Sequence, residues 1–308
     1  MQKYRLITRS DMDGLVCAVL LKHMDLINDI KFVHPKDMQD GTIEITNNDI
    51  VTNLPYCENA YLVFDHHESE SIRNGKKDNH IIIPDAPSAA RVVYDYYTKQ
   101  GVKFPEDWHD MMVAVDKADS AQFNKEDVLN PQGWEFLSFL MDSRTGLGRF
   151  HDFRISNYNL MMDLIDYCKN HKIDEIMKLP DVVERSDLYK KYEKEFKDQL
   201  LRCSKVYKNL VVLDLSKEEI IYPGNRFMIY ALFPQCNISI HKILGFRGQN
   251  MVYATGKSIF DRSSKTNIGE LMLKYGGGGH EAAGTCQVSH EKAEEVLNEL
   301  ITKINADG

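Results

Sequence analysis

No apolar run in this 308-residue chain approaches the roughly 18–20 residues that a bilayer-crossing helix needs, so no membrane span is expected. Cysteine is sparse and scattered. Cys17, Cys57, Cys168, Cys203, Cys236 and Cys286 form no CxxC pair, which argues against a zinc ribbon or a disulfide framework. The expectation is reduced, mostly buried thiols. Basic charge is not in excess: 38 Lys and Arg stand against 46 Asp and Glu, a net −8, which disfavours a long basic surface gripping duplex DNA. A small anionic substrate stays open, because a local metal ion and a few basic side chains can outweigh a weak global field. The opening Met1-Gln-Lys-Tyr-Arg-Leu-Ile carries no signal-peptide pattern, so the expected location is the cytoplasm. Repeats and low-complexity tracts are absent, and the length suggests two domains.

What is present is a strand–turn–helix rhythm. Tyr4–Thr8 reads as a strand, Arg9–Gly14 as a polar turn and Leu15–Lys22 as a helix, the opening of a βαβ unit. Further strands are expected at Ile30–His34, Thr42–Thr46 and Ala60–Phe64. Ser88 is a good N-cap for a helix running through Tyr97, and another helix is expected over Asp107–Ala118. Residues 132–179 look largely helical. The Lys-, Glu- and Leu-rich stretch from Asp187 to Val206 predicts one long solvated helix joining two domains. Beyond it, Leu210–Leu215, Phe227–Phe233, Asn237–Ile243 and Met251–Ala254 read as strands, and Asn267–Tyr275 as a helix leading to Gly276-Gly277-Gly278-Gly279-His280. The expected domains are 1–183 and 207–308, with 184–206 as linker. The first would be a parallel-sheet α/β domain, the second a smaller α/β domain with a mixed sheet.

Acidic groups follow the expected strands: Asp11 and Asp13, Asp49, and Asp65-His66-His67. Parallel sheets gather ligand sites at the carboxyl ends of their strands, so these residues should converge. Asp11 and Asp13 suit a hard divalent cation, although an N-cap explains such a pair equally well. Two histidines after an aspartate suit Mn²⁺, and a hydrogen-bonded turn is an even alternative. Asp119 could be a helix-end surface residue and gains weight only from the other sites. Gly276–Gly279 could form an anion nest beside His280. Arg262 and Ser263 could contact phosphate, or simply belong to a solvated loop.

Taken together, these segments resemble the DHH phosphoesterase superfamily, in particular members carrying a DHHA1 domain. Asp65-His66-His67 is the name-giving triplet. Thr8-Arg9-Ser10-Asp11-Met12-Asp13-Gly14 is similar to the first motif, and Asp119-Ser120-Ala121-Gln122-Phe123 to the fourth. Gly276–His280 with Ala282-Ala283-Gly284 is similar to the GGGH…AAG signature, and the order fits nearly the whole chain. The resemblance implies a metal-dependent hydrolase using up to two Mn²⁺ or Mg²⁺ ions. Asp49 would bridge the ions, ahead of Asp37 and Asp40 as competitors. Asp11 would bind one ion, and Asp13, His66 and Asp119 the other. His67 would sit near substrate phosphate, oriented by Asp65. Arg9 departs from the family, which carries His or Asp there. A guanidinium cannot ligate a metal, so one metal site loses a ligand and would be weaker, recruit another carboxylate or be absent, and Arg9 could instead bind substrate phosphate.

The resemblance further implies a substrate among short oligonucleotides, nucleotide phosphates or polyphosphate. The absence of an obvious extra single-strand-binding domain favours a small one. Phosphodiester or phosphomonoester hydrolysis is the first expectation and exopolyphosphatase activity the second. A catalytically weak nucleotide-binding protein, kept open by Arg9, is the third. A homodimer is allowed.

Overall fold

The structure is a computed structural model, and it describes residues 2–150 and 152–308. The chain divides into two compact units. One comprises Met1–Phe123 and Pro131–Leu188, the other Asn124–Asn130 and Tyr189–Gly308.

The first unit is built on five strands: β1 (Tyr4–Arg9), β2 (Ile27–Val33), β3 (Asp49–Thr52), β4 (Leu62–Asp65) and β5 (His80–Ile82). They pair in the order β2-β1-β3-β4-β5, and every pairing is parallel. The Met12–His23 helix is buried from Met12 to Leu21 and apolar nearly all round, which makes it a core helix rather than a surface one. It packs against the helices Ala89–Lys99, His109–Asp119 and Asn157–Asn170. The chain leaves β1 in one direction for β2 and in the other for β3. The β1/β3 boundary is therefore the topological switch point, where ligands of open α/β sheets bind.

One strand lies elsewhere than the sequence pattern suggests. Thr42–Thr46 is not a strand; its Ile43 and Ile45 pack on the core cluster of Ile7, Val51 and Val63 without entering the sheet. The pairing strand is Asp49–Thr52, buried at all four positions. A central parallel strand is covered on both faces and shows no alternation, whereas the alternating 42–46 run mimics a half-buried strand. The edge strand β5 carries too short a signal to be read from the sequence.

The second unit holds β6 (Ser204–Tyr207), β7 (Leu210–Asp214), β8 (Ile238–Leu244), β9 (Met251–Lys257), β10 (Gly278–His280) and β11 (Ala283–Val288). Their order is β10-β11-β9-β8-β7-β6. The β7–β8 pair is parallel and the other pairs are antiparallel, so the sheet is mixed. Leu210, Ile238, Ile240 and Tyr253 form its core with Met272 and Leu300 of the covering helices Ile268–Leu273 and Ala293–Asp307. Phe227–Phe233, expected as a strand, contains the helix Met228–Leu232; a short, wholly buried apolar run has no period to separate the two. The expected single helix from Asp187 to Val206 is two helices, Pro180–Lys191 and Glu193–Cys203, parted at Tyr192, and Ser204 already begins β6. No helix of the described residues is long and apolar enough to cross a membrane.

Candidate metal centre

β1 ends at Arg9, and Asp11 caps the next helix, its Oδ1 accepting from Gly14 N at 3.0 Å. The helix starts so close to the strand end that a Cβ on Gly14 would lie 1.9 Å from the Arg9 carbonyl oxygen. Only glycine permits that approach. Two residues after Asp11, Asp13 is 1% exposed and points at the start of the Ala89–Lys99 helix. It accepts from Ala89 N at 3.0 Å and Ala90 N at 2.7 Å. Ser88 caps that helix as expected, its Oγ accepting from Arg91 N. Burial, and then the nearby Asp119 charge, hold the Asp13 carboxyl well above the usual carboxylate range.

β4 delivers the Asp65-His66-His67 triplet. Asp65 is fully buried, and its Oδ1 accepts from His66 N at 2.8 Å and lies 2.7 Å from His67 Nδ1. That contact orients the His67 ring. His66 Nδ1 lies 3.1 Å from the Ala86 carbonyl oxygen, which can only accept, so Nδ1 carries the proton and Nε2 is the lone-pair nitrogen of the neutral ring. Nε2 sits 2.8 Å from Asp119 Oδ2 but is not aligned with it as a hydrogen bond. Burial lowers the His66 pKa, but the Asp119 carboxylate outweighs it and the value stands at about 9. Asp119 itself is lowered, because its contact with His66 overcomes its burial.

One ligand atom each from Asp13, His66 and Asp119 lies within 4.8 Å of the others, and Asp65, His66 and His67 form a second such group. A buried imidazole nitrogen facing one carboxylate oxygen, with a second desolvated carboxylate beside them, is a set of groups whose charge a proton balances and a divalent cation would balance in its place. Two oxygens and one imidazole nitrogen suit a divalent ion such as Mn²⁺ or Mg²⁺.

Asp49 is not part of this cluster. It opens β3 instead of following a strand, and so lies at the amino edge of the sheet. Its carboxylate is 2.6 and 3.0 Å from Arg5 Nε and Nη2, and it accepts from Thr46 N at 2.7 Å. Burial raises its pKa, and these donors more than reverse the effect. The carboxyl end of β3 carries Asn53, whose Nδ2 donates to Asp11 Oδ1 at 3.2 Å. Arg9 Nε lies 3.0 Å from Asp11 Oδ2. Arg144, held by Asp142 at 2.7 Å, places a further positive charge within reach of Asp11 and Asp119. Asn53 and Arg144 escaped the sequence reading. The signal for Asn53 was the buried apolar run just before it, and Arg144 lies in a polar turn with no motif around it.

In the second unit, the glycine run is a strand as well as a turn: Gly278–His280 pairs with Ala283–Thr285. A Cβ on Gly277 would meet Thr285 O at 2.1 Å, and one on Gly279 would meet Ala283 O at 2.3 Å, while one on Gly278 would meet nothing within 4 Å. His280 is exposed. Arg262 is also exposed, and Ser263 Oγ accepts from Asn237 Nδ2 at 3.0 Å, so that hydroxyl helps to hold its own loop.

A parallel sheet whose carboxyl edge gathers acids and an imidazole that could hold a metal ion, joined to a mixed-sheet unit with a glycine hairpin, defines a metal-dependent phosphoesterase. No family model matches the chain, and no curated protein does. Among solved structures it is similar to a pGpG-specific phosphodiesterase, PggH, from Vibrio cholerae. The identity is 66%, over 99% of this chain and 100% of that one, with a TM-score of 0.87. The chain belongs to the DHH phosphoesterase superfamily. RecJ from Thermus thermophilus in complex with Mn²⁺ shares the fold, with a TM-score of 0.55 at 13% identity, over 99% of this chain and 52% of that one.

Proposed function

We propose that this enzyme hydrolyses short guanine oligonucleotides, with pGpG as its substrate. The observation that carries the substrate is the 66% identity, over essentially the whole of both chains, to a phosphodiesterase specific for pGpG. Cleavage of the internal phosphodiester would break the bond between phosphorus and the 3′ oxygen. Water supplies the hydroxyl on phosphorus and the proton on the departing 3′ oxygen, and two GMP molecules result.

Asp13, His66 and Asp119 would hold the divalent ion, with Mn²⁺ favoured over Mg²⁺ by the imidazole nitrogen. Such an ion, when bound, polarises the phosphoryl group and makes water a stronger nucleophile. The Nδ1–H of His66 is fixed by Ala86 O, which keeps Nε2 turned to the ion's position. His67, its Nδ1 against the Asp65 carboxylate, is poised to hold a proton at the phosphoryl or leaving oxygen, with Asp65 stabilising the charged ring. Arg9 binds a non-bridging phosphate oxygen. In the second unit, Gly277, Gly278, Gly279 and His280, with Arg262 and Ser263 nearby in sequence, are the proposed substrate-contacting group. The cytoplasm is the expected place of action.

The test is product release from pGpG, adenosine 3′,5′-bisphosphate and polyphosphate, each with Mn²⁺ and with chelator. Mn²⁺-dependent release of GMP from pGpG alone is expected. Faster release of phosphate from polyphosphate would replace this reading by the exopolyphosphatase one.

A further inference from the structure

We propose that the centre holds a single divalent ion per chain, and that the Arg9 guanidinium supplies the positive charge on its other flank and contacts the substrate phosphate. This rests on the phosphodiesterase reading above and concerns the same site.

The case begins with Asp11. Its Oδ1 accepts from Gly14 N at 3.0 Å and Asn53 Nδ2 at 3.2 Å, and its Oδ2 lies 3.0 Å from Arg9 Nε. Asp13 too accepts backbone N–H bonds at both oxygens, so such donors do not separate the two carboxylates; the guanidinium does, because it already answers the Asp11 charge. Asp11 serves as a helix cap and an arginine anchor, and neither potential ligand cluster among the described residues includes it. The neighbouring strand end offers no replacement. Asn53 is 1% exposed and carries a neutral amide where an acid would be needed to bridge two ions. The acid of that strand, Asp49, is bound to Arg5 at the other edge.

The remaining donors form one complete set. Both clusters of potential ligands among the described residues contain His66. His66 offers a single ligand nitrogen, Nε2, because its Nδ1 faces Ala86 O, so the cluster that adds Asp65 and His67 cannot take a separate ion through it. A second dication beside Asp11 would also face the positive charge of Arg9, 3.0 Å from Asp11 Oδ2, with too few anions to hold it. A phosphodiester oxygen suits that flank, because the planar guanidinium fork matches it and stays charged at every working pH.

The experiment counts Mn²⁺ bound to the full chain by equilibrium dialysis with elemental analysis. The wild type should bind one ion, and Asp13→Asn, with circular dichroism unchanged, should bind none. Two ions on the wild type, or one remaining on Asp13→Asn, would overturn the proposal even if pGpG turnover is normal. The double variant Arg9→His with Asn53→Asp should bind two ions; a folded variant still holding one would show that these residues do not close the second position. Arg9→Gln should raise the KM for pGpG at least tenfold with the Mn²⁺ count unchanged, and Arg9→Lys should recover part of it. An unchanged KM in Arg9→Gln would remove that arginine from the phosphate. Should a variant fail to fold, the wild-type count decides alone. One bound ion without pGpG turnover would sink the substrate reading and leave the single-ion centre standing.

Discussion

Asp49 and Asn53 lie on one short segment of chain and at opposite edges of the sheet, and that separation decides their roles. Asp49 is buried against Arg5 and the Thr46 amide, so its work is structural. Asp49→Ala should cost about 3 kcal/mol of stability, the lower end for breaking a buried ion pair, since Arg5 is partly exposed. Turnover per folded molecule should stay near the wild-type value. Chemical denaturation and the kcat of the folded fraction check both; a near-normal stability with lost turnover would reverse the assignment. His67 offers the contrasting case. Its ring is held by Asp65 and is the proposed proton-holding group, so His67→Gln should lower kcat by about 10²–10⁴-fold with little change in melting temperature. An unaltered kcat would take the proton-holding role away from it.

The glycine hairpin shows how one element combines packing and access. Gly277 and Gly279 face the backbone of β11, where an added methyl group has no room, and Gly279 also has a φ of +155°. Gly269 of the Ile268–Leu273 helix lies equally close: its Cβ would be 2.7 Å from Gly279 O. Small residues at these points let helix and hairpin touch backbone to backbone. Gly277→Ala and Gly279→Ala should therefore lower the melting temperature by more than about 4 °C, whereas Gly278→Ala, with open space around its Cβ, should leave it unchanged. If the hairpin also contacts substrate, Gly278→Leu should raise KM while the melting temperature holds. Equal thermal losses at all three positions would contradict the packing account.

At the scale of the whole chain, each unit contains a histidine that burial keeps neutral. His80 on β5 is buried, with neither ring nitrogen hydrogen-bonded, and burial pushes its pKa down against the opposing pull of Asp65 and Glu70. His241 on β8 is pushed down to about 4 by burial and by Arg226. Both pKa values lie below that of an unfolded histidine, so the unfolded state takes up protons first as the pH falls. The stability these groups preserve is complete above about pH 6.5 and is lost progressively below it. Melting temperatures should thus fall between about pH 7.5 and pH 5, and His80→Phe should flatten part of that slope. His66, raised to about 9, pulls the other way, so the comparison decides: the same slope in His80→Phe as in the wild type would contradict the burial of the His80 ring.

The sequence by itself determined the fold class, the two kinds of sheet, and the placing of Asp13 and His66 after strands of one sheet, while Asp119, at a helix end, joined them only through the family resemblance. Those follow from local signals: hydrophobic runs that mark strands, an acid after a strand, a serine cap, and a glycine run beside a histidine. Only the tertiary structure decided which strand end faces which. The alternating Thr42–Thr46 run imitated a strand and displaced β3 by several residues, which put Asp49 at the carboxyl edge on paper and Asn53 there in fact. Likewise, Asp11 carries the same DxD pattern whether it binds a metal or caps a helix, and only the donors packed around it tell the two apart. Arg144 lies in a turn far along the chain, yet the Asp11 and Asp119 charges raise its pKa, a coupling that no local pattern records. Local chemistry is written in the order of residues, but the charge balance of a site depends on which distant groups the fold brings within a few ångströms.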